Sequence, residues 1–216
     1  MTNRRQLLTG AAGIAAAALM GAEFPGTEFT GITAARAQTK LPDAGPLGDV
    51  WLGPADAKVT VVEYASMTCS HCAHFHETTW PELKKKYIDT GKIRFSLREF
   101  PLAPLATAGF MLARCNGNDK FYPMTDLLFS QQKNWAFVDK PVDALSALVK
   151  QAGFSQESFE ACLKRQDIYD AITQVKDGGA KAGVDATPTF FVNGQKLSGA
   201  VSIAEFDKVL EPLLAK

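Results

Sequence analysis

The sequence has little histidine, little cysteine and no excess of either charge. Its 216 residues include three histidines and four cysteines, and 23 basic residues balance 23 acidic ones. A chain without net charge has no general electrostatic attraction for nucleic acid or an anionic lipid surface, so neither partner is expected. Length and ordinary composition predict a globular protein of one domain, or one domain with an insertion.

A long hydrophobic run is also missing, because the apolar stretch near the N terminus is short and rich in glycine. A membrane span needs about 20 apolar residues, so stable membrane insertion is not expected. Arg4 and Arg5 precede this stretch, and a small-residue A-x-A pattern ends at Ala37. Residues 1–37 are therefore predicted to be an export signal cleaved near Ala37. The paired arginines favour the twin-arginine route over general secretion.

Hydrophobic periodicity divides the rest of the chain into strand-like and helical parts. Apolar residues run together or alternate over 58–65 and 92–100, as in strands, whereas over 104–176 they recur at helical intervals. An Asn-Gly pair at 193–194 predicts a hairpin. The order of elements predicts an α/β fold with a central sheet covered by helices. A lead-in is predicted over residues 38–57. The sheet-forming domain is predicted in two segments, 58–103 and 177–216, and a helical insertion, 104–176, lies between them.

All three histidines and two cysteines fall within residues 69–76, whose sequence is CSHCAHFH. The C-x-x-C-H pattern of c-type haem attachment is missing, because alanine follows Cys72. Cys69, Cys72 and His76 have the spacing of one helical stripe and could bind zinc together with a water. A structural disulfide between the two cysteines would close an unusually short loop. Redox exchange is the remaining interpretation.

The predicted position of this octet, between a strand and the start of a helix, favours redox exchange. Unpaired N–H groups at a helix N terminus favour a thiolate at Cys69 and lower its pKa. Cys72, one turn further on, is expected to be more buried and to close the bridge. His71 can place a positive or hydrogen-bonding group near the sulfur. His76 is expected to point with the cysteines and could tune them, whereas His74 is expected to face water.

A carboxylate and a second cysteine pair complete the candidates. Glu63 lies on the first strand-like run, six residues before Cys69, where it is either a buried acceptor for the proton of Cys72 or a strand-end residue that reaches solvent. Four cysteines allow three pairings, and a bridge between Cys69 and Cys72 leaves Cys115 with Cys162. Exported thiols tend to pair, and this loop of nearly fifty residues would contribute about 4 kcal/mol on a chain-entropy account. Two free thiols are the alternative.

Two motifs together resemble the DsbA-type thiol–disulfide oxidoreductases of bacteria. They are VVEYASMTCSHC, with Phe75 and Glu77 after it, and the distant VDATPTFFVNG. The resemblance covers essentially the whole chain after the export signal and implies a thioredoxin fold with a helical insertion. A C-x-x-C pattern alone is a weak signal, but joined to Thr-Pro before a terminal hairpin it is a specific one.

The resemblance implies a role for each matching residue. Cys69 would be the exposed nucleophile, Cys72 its partner and Glu63 the buried acid of the family. Pro188 matches a cis-proline that faces the disulfide, and Thr187 before it would have backbone groups free to pair with an extended substrate.

The activity implied is oxidation of thiols in the periplasm, with the Cys69–Cys72 disulfide as redox centre and no further cofactor or metal. Reduced or unfolded exported proteins are the expected substrates, and a DsbB-like membrane protein the expected reoxidant. Ser70 stands where familiar members carry proline, so the redox potential is not predicted. Cys115 and Cys162 would stabilise the insertion or tune the active site.

Two other functions are compatible with the sequence. One is a disulfide isomerase or reductase of the same fold, although isomerases usually add an N-terminal dimerisation module and only a short lead-in precedes the first strand. The other is a metal-binding protein that uses Cys69, Cys72 and His76.

Overall fold

The computed structural model describes Leu41 and residues 43–216. The predicted export signal and the beginning of the lead-in lie outside the described residues. The strands are β1 (Val59–Ala65), β2 (Ile93–Glu99), β3 (Thr189–Val192) and β4 (Gln195–Ser198). The helices are α1 (Ser70–Thr78), α2 (Trp80–Leu83), α3 (Pro104–Cys115), α4 (Asn118–Ser130), α5 (Gln132–Trp135), α6 (Pro141–Val149), α7 (Gln156–Leu163), α8 (Gln166–Lys181) and α9 (Ile203–Leu214).

The four strands form one sheet in the order β2-β1-β3-β4. β1 and β2 are parallel, and β3 is antiparallel to both β1 and β4. β1 lies inside the sheet and is buried on both faces, which explains its nearly continuous apolar sequence, whereas β2 lies at the sheet edge and alternates apolar with polar residues. The predicted α/β fold, a central sheet covered by helices, is confirmed.

The alternation of β1 determines which side chains face the first helix. Val61 and Ala65 belong to the larger hydrophobic core, which includes α1 and α9, whereas Val62 and Tyr64 belong to a smaller core on the other face of the sheet. Since successive residues of a strand point to opposite faces, Glu63 points into the larger core together with Val61 and Ala65.

Two local sequence signals near the C terminus, an Asn-Gly turn and a helix-capping serine, form the structures that are typical of them. Asn193 and Gly194 both have positive φ values, 46° and 85°, as a tight turn between antiparallel strands requires. Ser202 caps α9 and forms a capping box with Glu205. The predicted hairpin is therefore confirmed, and a capped terminal helix follows it.

Within the described residues, six α-helices, α3 to α8, and one short 3-10 helix, Lys150–Ala152, lie between β2 and β3 in the chain. A disulfide joins Cys115 at the end of α3 to Cys162 in α7, 47 residues apart. The predicted pairing is thus present, and the alternative of two free thiols is wrong for this pair.

The last of these helices continues beyond the boundary predicted at residue 176. α8 runs through Gly178 and Gly179 to Lys181, although glycine lowers helix propensity. A Cβ atom at Gly179 would lie 2.7 Å from Cε1 of Tyr64 in β1. Glycine therefore lets the helix pack directly on the sheet, and this contact outweighs the local propensity. No helix in the described part of the chain is long and apolar enough to cross a membrane.

Candidate active site

The two cysteines of the octet occupy the junction between β1 and α1. Cys69 is the N-cap of α1, with extended backbone angles, and its side chain is half-buried. Cys72 lies in the first turn of the helix and is fully buried. Both are free thiols in this structure. This is the arrangement predicted from the sequence, with one accessible sulfur and one protected sulfur.

The surroundings of Cys69 stabilise its anion. Its pKa falls from the usual 9.0 to about 5, chiefly because the side chain of Cys72 donates a hydrogen bond to its sulfur. The Thr187 side chain and the backbone N–H groups of Cys72 and His71 lower it further, and these outweigh the opposing effect of partial burial. At neutral pH, Cys69 is therefore a thiolate.

Cys72 has the opposite character. Burial raises its pKa well above the usual value, and the charges of Glu63 and Cys69 raise it further. It therefore remains a thiol and keeps the proton that it donates to Cys69. The pair is polarised, with a nucleophilic sulfur at the surface and a protonated sulfur inside.

The loop before β3 meets this pair from the opposite side. The peptide bond between Thr187 and Pro188 is cis. The thiol of Cys69 donates to the carbonyl oxygen of Thr187 at 3.2 Å, so this carbonyl faces the active site. The Thr187 hydroxyl is buried and has no other protein partner. Thr187 therefore offers Cys69 an acceptor when it is a thiol and a donor when it is a thiolate.

The histidines divide differently from the sequence prediction. His71 is exposed and lowers the pKa of Cys69 through its backbone N–H. His74 is exposed, as predicted. His76 is buried, and its Nε2 lies 3.1 Å from Oε2 of Glu63. Its ring stacks on Phe129 with 4.2 Å between centroids. His76 thus contacts the buried acid and hydrogen-bonds neither cysteine.

Glu63 is fully buried, so the alternative in which it reaches solvent is wrong. Oε2 contacts His76, whereas Oε1 has no protein partner. Its charge acts on Cys72, and this proximity is what the predicted proton acceptor requires.

The zinc alternative required Cys69, Cys72 and His76 to converge on one point. Residues 41 and 43–216 contain no group of three His, Cys, Asp or Glu side chains placed to hold a metal ion. Helical spacing puts the three residues on one stripe, but the imidazole turns toward Glu63 on β1.

Gln132 is a contributor that sequence reasoning missed. This buried residue of α5 donates from Nε2 to the carbonyl oxygens of Met67, at 2.9 Å, and Cys69, at 3.0 Å. It ties the helical insertion to the loop that carries the nucleophile. No local pattern marks it, because its partners lie more than sixty residues earlier in the chain.

Comparison with known proteins agrees with this geometry. Residues 47–212 match the family described as thioredoxin. A Rickettsia conorii protein named as a protein-disulfide oxidoreductase is 39% identical over 169 residues, which is 76% of this chain and 61% of the relative. The match therefore spans about three fifths of that relative's length. Disulfide bond formation protein D of Bacillus cereus is 30% identical over 66% of this chain and 69% of its own.

Solved structures show the same architecture. Wolbachia pipientis alpha-DsbA1 superposes with a TM-score of 0.71 at 28% identity, covering 77% of this chain and 91% of its own. BdbD of Bacillus subtilis superposes with a TM-score of 0.68, covering 82% and 98%, and at 23% identity it supports the fold alone.

Proposed function

The chain belongs to the thioredoxin family, as a member of its DsbA type, and from this membership we propose that it is an exported thiol–disulfide oxidoreductase that oxidises protein thiols. The observation that carries the proposal is the polarisation of one cysteine pair. Cys69 is accessible with a pKa of about 5, and Cys72 is buried with a raised pKa.

The proposed reaction begins with the Cys69–Cys72 disulfide. A substrate thiolate attacks Cys69 Sγ and forms a mixed disulfide, while Cys72 leaves as a thiolate and takes up a proton. A second substrate thiolate then attacks the substrate sulfur of the mixed disulfide. Cys69 leaves as a thiolate, the substrate gains a disulfide, and two electrons pass to the protein.

The direction of electron flow follows from the stability of the Cys69 thiolate. Whatever stabilises this anion stabilises the reduced protein and makes the disulfide more oxidising, by about 30 mV for each 1.4 kcal/mol. The backbone N–H groups, the Cys72 thiol and the Thr187 hydroxyl all act in this sense. They support an oxidase over an isomerase or reductase.

The remaining parts of the proposal concern partners and location. Reduced or unfolded exported proteins supply the thiols in the periplasm, and a DsbB-like membrane protein regenerates the disulfide. The cysteine pair serves as the redox centre without a further cofactor. Thr187 and Pro188 face the reacting sulfur, His71 contributes a backbone donor, and Glu63 exchanges the proton of Cys72.

The test is single-turnover oxidation of a client. The oxidised protein is mixed with a reduced, unfolded protein that has two cysteines, and client thiols are counted with time. We expect one client disulfide per molecule of protein, and none with Cys69→Ser. A redox potential near that of thioredoxin, about −270 mV, or faster reshuffling of a scrambled client than oxidation of a reduced one, would reject the oxidase.

A further inference from the structure

A second opening reaches toward the active site from the side. A cavity of about 550 Å³, here called the lateral cavity, lies between α1–α2 and α4, and His76, Trp80, Asp126 and Phe129 are among its lining residues. Neither active-site cysteine lines it, and neither does Thr187. Exposed residues such as Glu77 belong to its wall, so it is open to solvent.

The wall of this cavity carries half of a buried polar pair. The side chains of His76 and Glu63 are 3% and 0% exposed, and they meet through Nε2 and Oε2 at 3.1 Å. Nδ1 of His76 and Oε1 of Glu63 are buried without a protein partner. Leaving a buried polar atom unpaired is unfavourable. His76 and Glu63 thus each contact the other through one polar atom and leave a second polar atom without a partner.

The proposed reaction needs a proton route at this place. Cys72 is fully buried, yet it must gain a proton when the disulfide is reduced and lose one when the disulfide re-forms. Glu63 acts electrostatically on Cys72 without a hydrogen bond to it. A bridging water or a small rotation of Glu63 completes the contact. The surface around Cys69 is not a free route for this proton, because a bound substrate covers it in the proposed reaction.

We propose that Glu63 and His76 pass this proton between Cys72 and the lateral cavity, on a face separate from the one that binds substrate. The inference rests on the proposed function. His76 Nδ1 is buried at rest, so a small motion of the cavity wall first exposes it. A proton from the cavity then binds Nδ1, the proton on Nε2 moves to Glu63, and Glu63 delivers it to Cys72. One proton moves, no electrons move with it, and exchange of the imidazole tautomer resets the path. His76 is a positioning residue in this scheme, since it acts on the reacting sulfur only through Glu63.

Charged groups around the imidazole are suited to exchange protons there. Glu63 faces it from β1, and Asp126 of α4 interacts with it across the lateral cavity. Loss of solvent raises the pKa of Asp126, and the charge of His76, a hydrogen bond from Trp80 and the charge of Lys84 work in the opposite direction. Asp126 therefore stands at the mouth of the route, between His76 and water.

The experiment measures how fast the oxidised full chain is reduced by a reduced, unfolded client with two cysteines, followed by counting client thiols with time. His76→Gln can keep a donor to Glu63 but cannot relay a proton, and it should slow reduction about tenfold or more. His76→Ala should be slowed as well, and added imidazole should restore its rate by entering the enlarged cavity. His74→Gln, an exposed change on the same helix, is the matched control and should behave as the unchanged protein, with or without imidazole.

Two results would overturn the proton route. One is His76→Gln reacting at the rate of the unchanged protein. The other is a folded His76→Ala protein that is slow and not rescued by imidazole, which would mean that His76 only supports the structure. If His76→Ala does not fold, the His76→Gln rate decides. Failure of the unchanged protein to oxidise a client would reject the proposed function, whereas normal oxidation by His76→Gln rejects only the proton route.

Discussion

Two cysteines three residues apart differ in protonation because their surroundings differ. Cys69 caps a helix and receives hydrogen bonds, whereas Cys72 is enclosed by the hydrophobic core beside Glu63. The same short spacing that allows a disulfide therefore also separates the nucleophile from its partner. The largest contribution to the low pKa of Cys69 comes from the thiol of Cys72 itself.

Replacing the inner cysteine should change the acidity of the outer one. In Cys72→Ala the pKa of Cys69 should rise from about 5 toward 9.0, because the main hydrogen-bond donor is lost. Cys72→Ser keeps a hydroxyl donor and should give an intermediate value. The rate of alkylation of Cys69 against pH measures both. An unchanged midpoint in Cys72→Ala would show that the helix N terminus and Thr187 set the pKa of Cys69 without the thiol of Cys72.

At the scale of elements, the active site depends on contacts between parts that are distant in the chain. α1 supplies both cysteines, the loop before β3 supplies Thr187, and α5 supplies Gln132. The strand and helix that flank Cys69 were predictable from the sequence, because each follows from local periodicity. The extension of α8 through Gly178 and Gly179 was not, since it depends on packing against Tyr64.

Loss of the Gln132 side chain should loosen the loop that carries the nucleophile. Gln132→Leu removes the donor to the carbonyl oxygens of Met67 and Cys69. The Cys69 oxygen keeps a hydrogen bond from the N–H of Ala73, but the Met67 oxygen loses its donor, and an unpaired buried carbonyl costs about 1–3 kcal/mol. Urea unfolding should show a loss of this size. Lys133→Leu, an exposed neighbour on the same helix, should stay close to the unchanged protein. Equal stability of the two variants would contradict a structural role for Gln132.

At the scale of the whole molecule, stability is coupled to redox state. The Cys115–Cys162 disulfide closes a 47-residue separation across the insertion and contributes about 4 kcal/mol on a chain-entropy account. For the active-site pair, the reduced form rather than the disulfide is stabilised, because the Cys69 thiolate is stabilised in the folded protein. One disulfide therefore supports the fold, and under the proposed function the other is available for transfer.

The stability of the reduced protein should rise with pH relative to the oxidised protein. The pKa of Cys69 is about 5 in the folded state and 9.0 in its usual range. The unfolded chain therefore binds one more proton between these values, and the stabilisation is lost as pH falls through about 5. Urea unfolding of both redox forms, with Cys115–Cys162 intact, should show the difference growing from pH 5 to pH 8. Near pH 8.5 the difference should pass through a maximum and then fall, because above this pH the unfolded chain has lost both thiol protons whereas Cys72 keeps its proton in the folded state. A flat difference below pH 8 would contradict a stabilised thiolate.

The sequence by itself determined the redox pair, the start of its helix, the terminal hairpin and the pairing left to Cys115 and Cys162. These features follow from spacing, capping and turn chemistry, which act over a few residues, or from counting cysteines. Only the tertiary structure decided that Glu63 is buried, that His76 turns to it and that Gln132 reaches the loop of the nucleophile. Those contacts join residues 13 and 63 positions apart. Which side chains meet over such distances depends on how the sheet and helices pack.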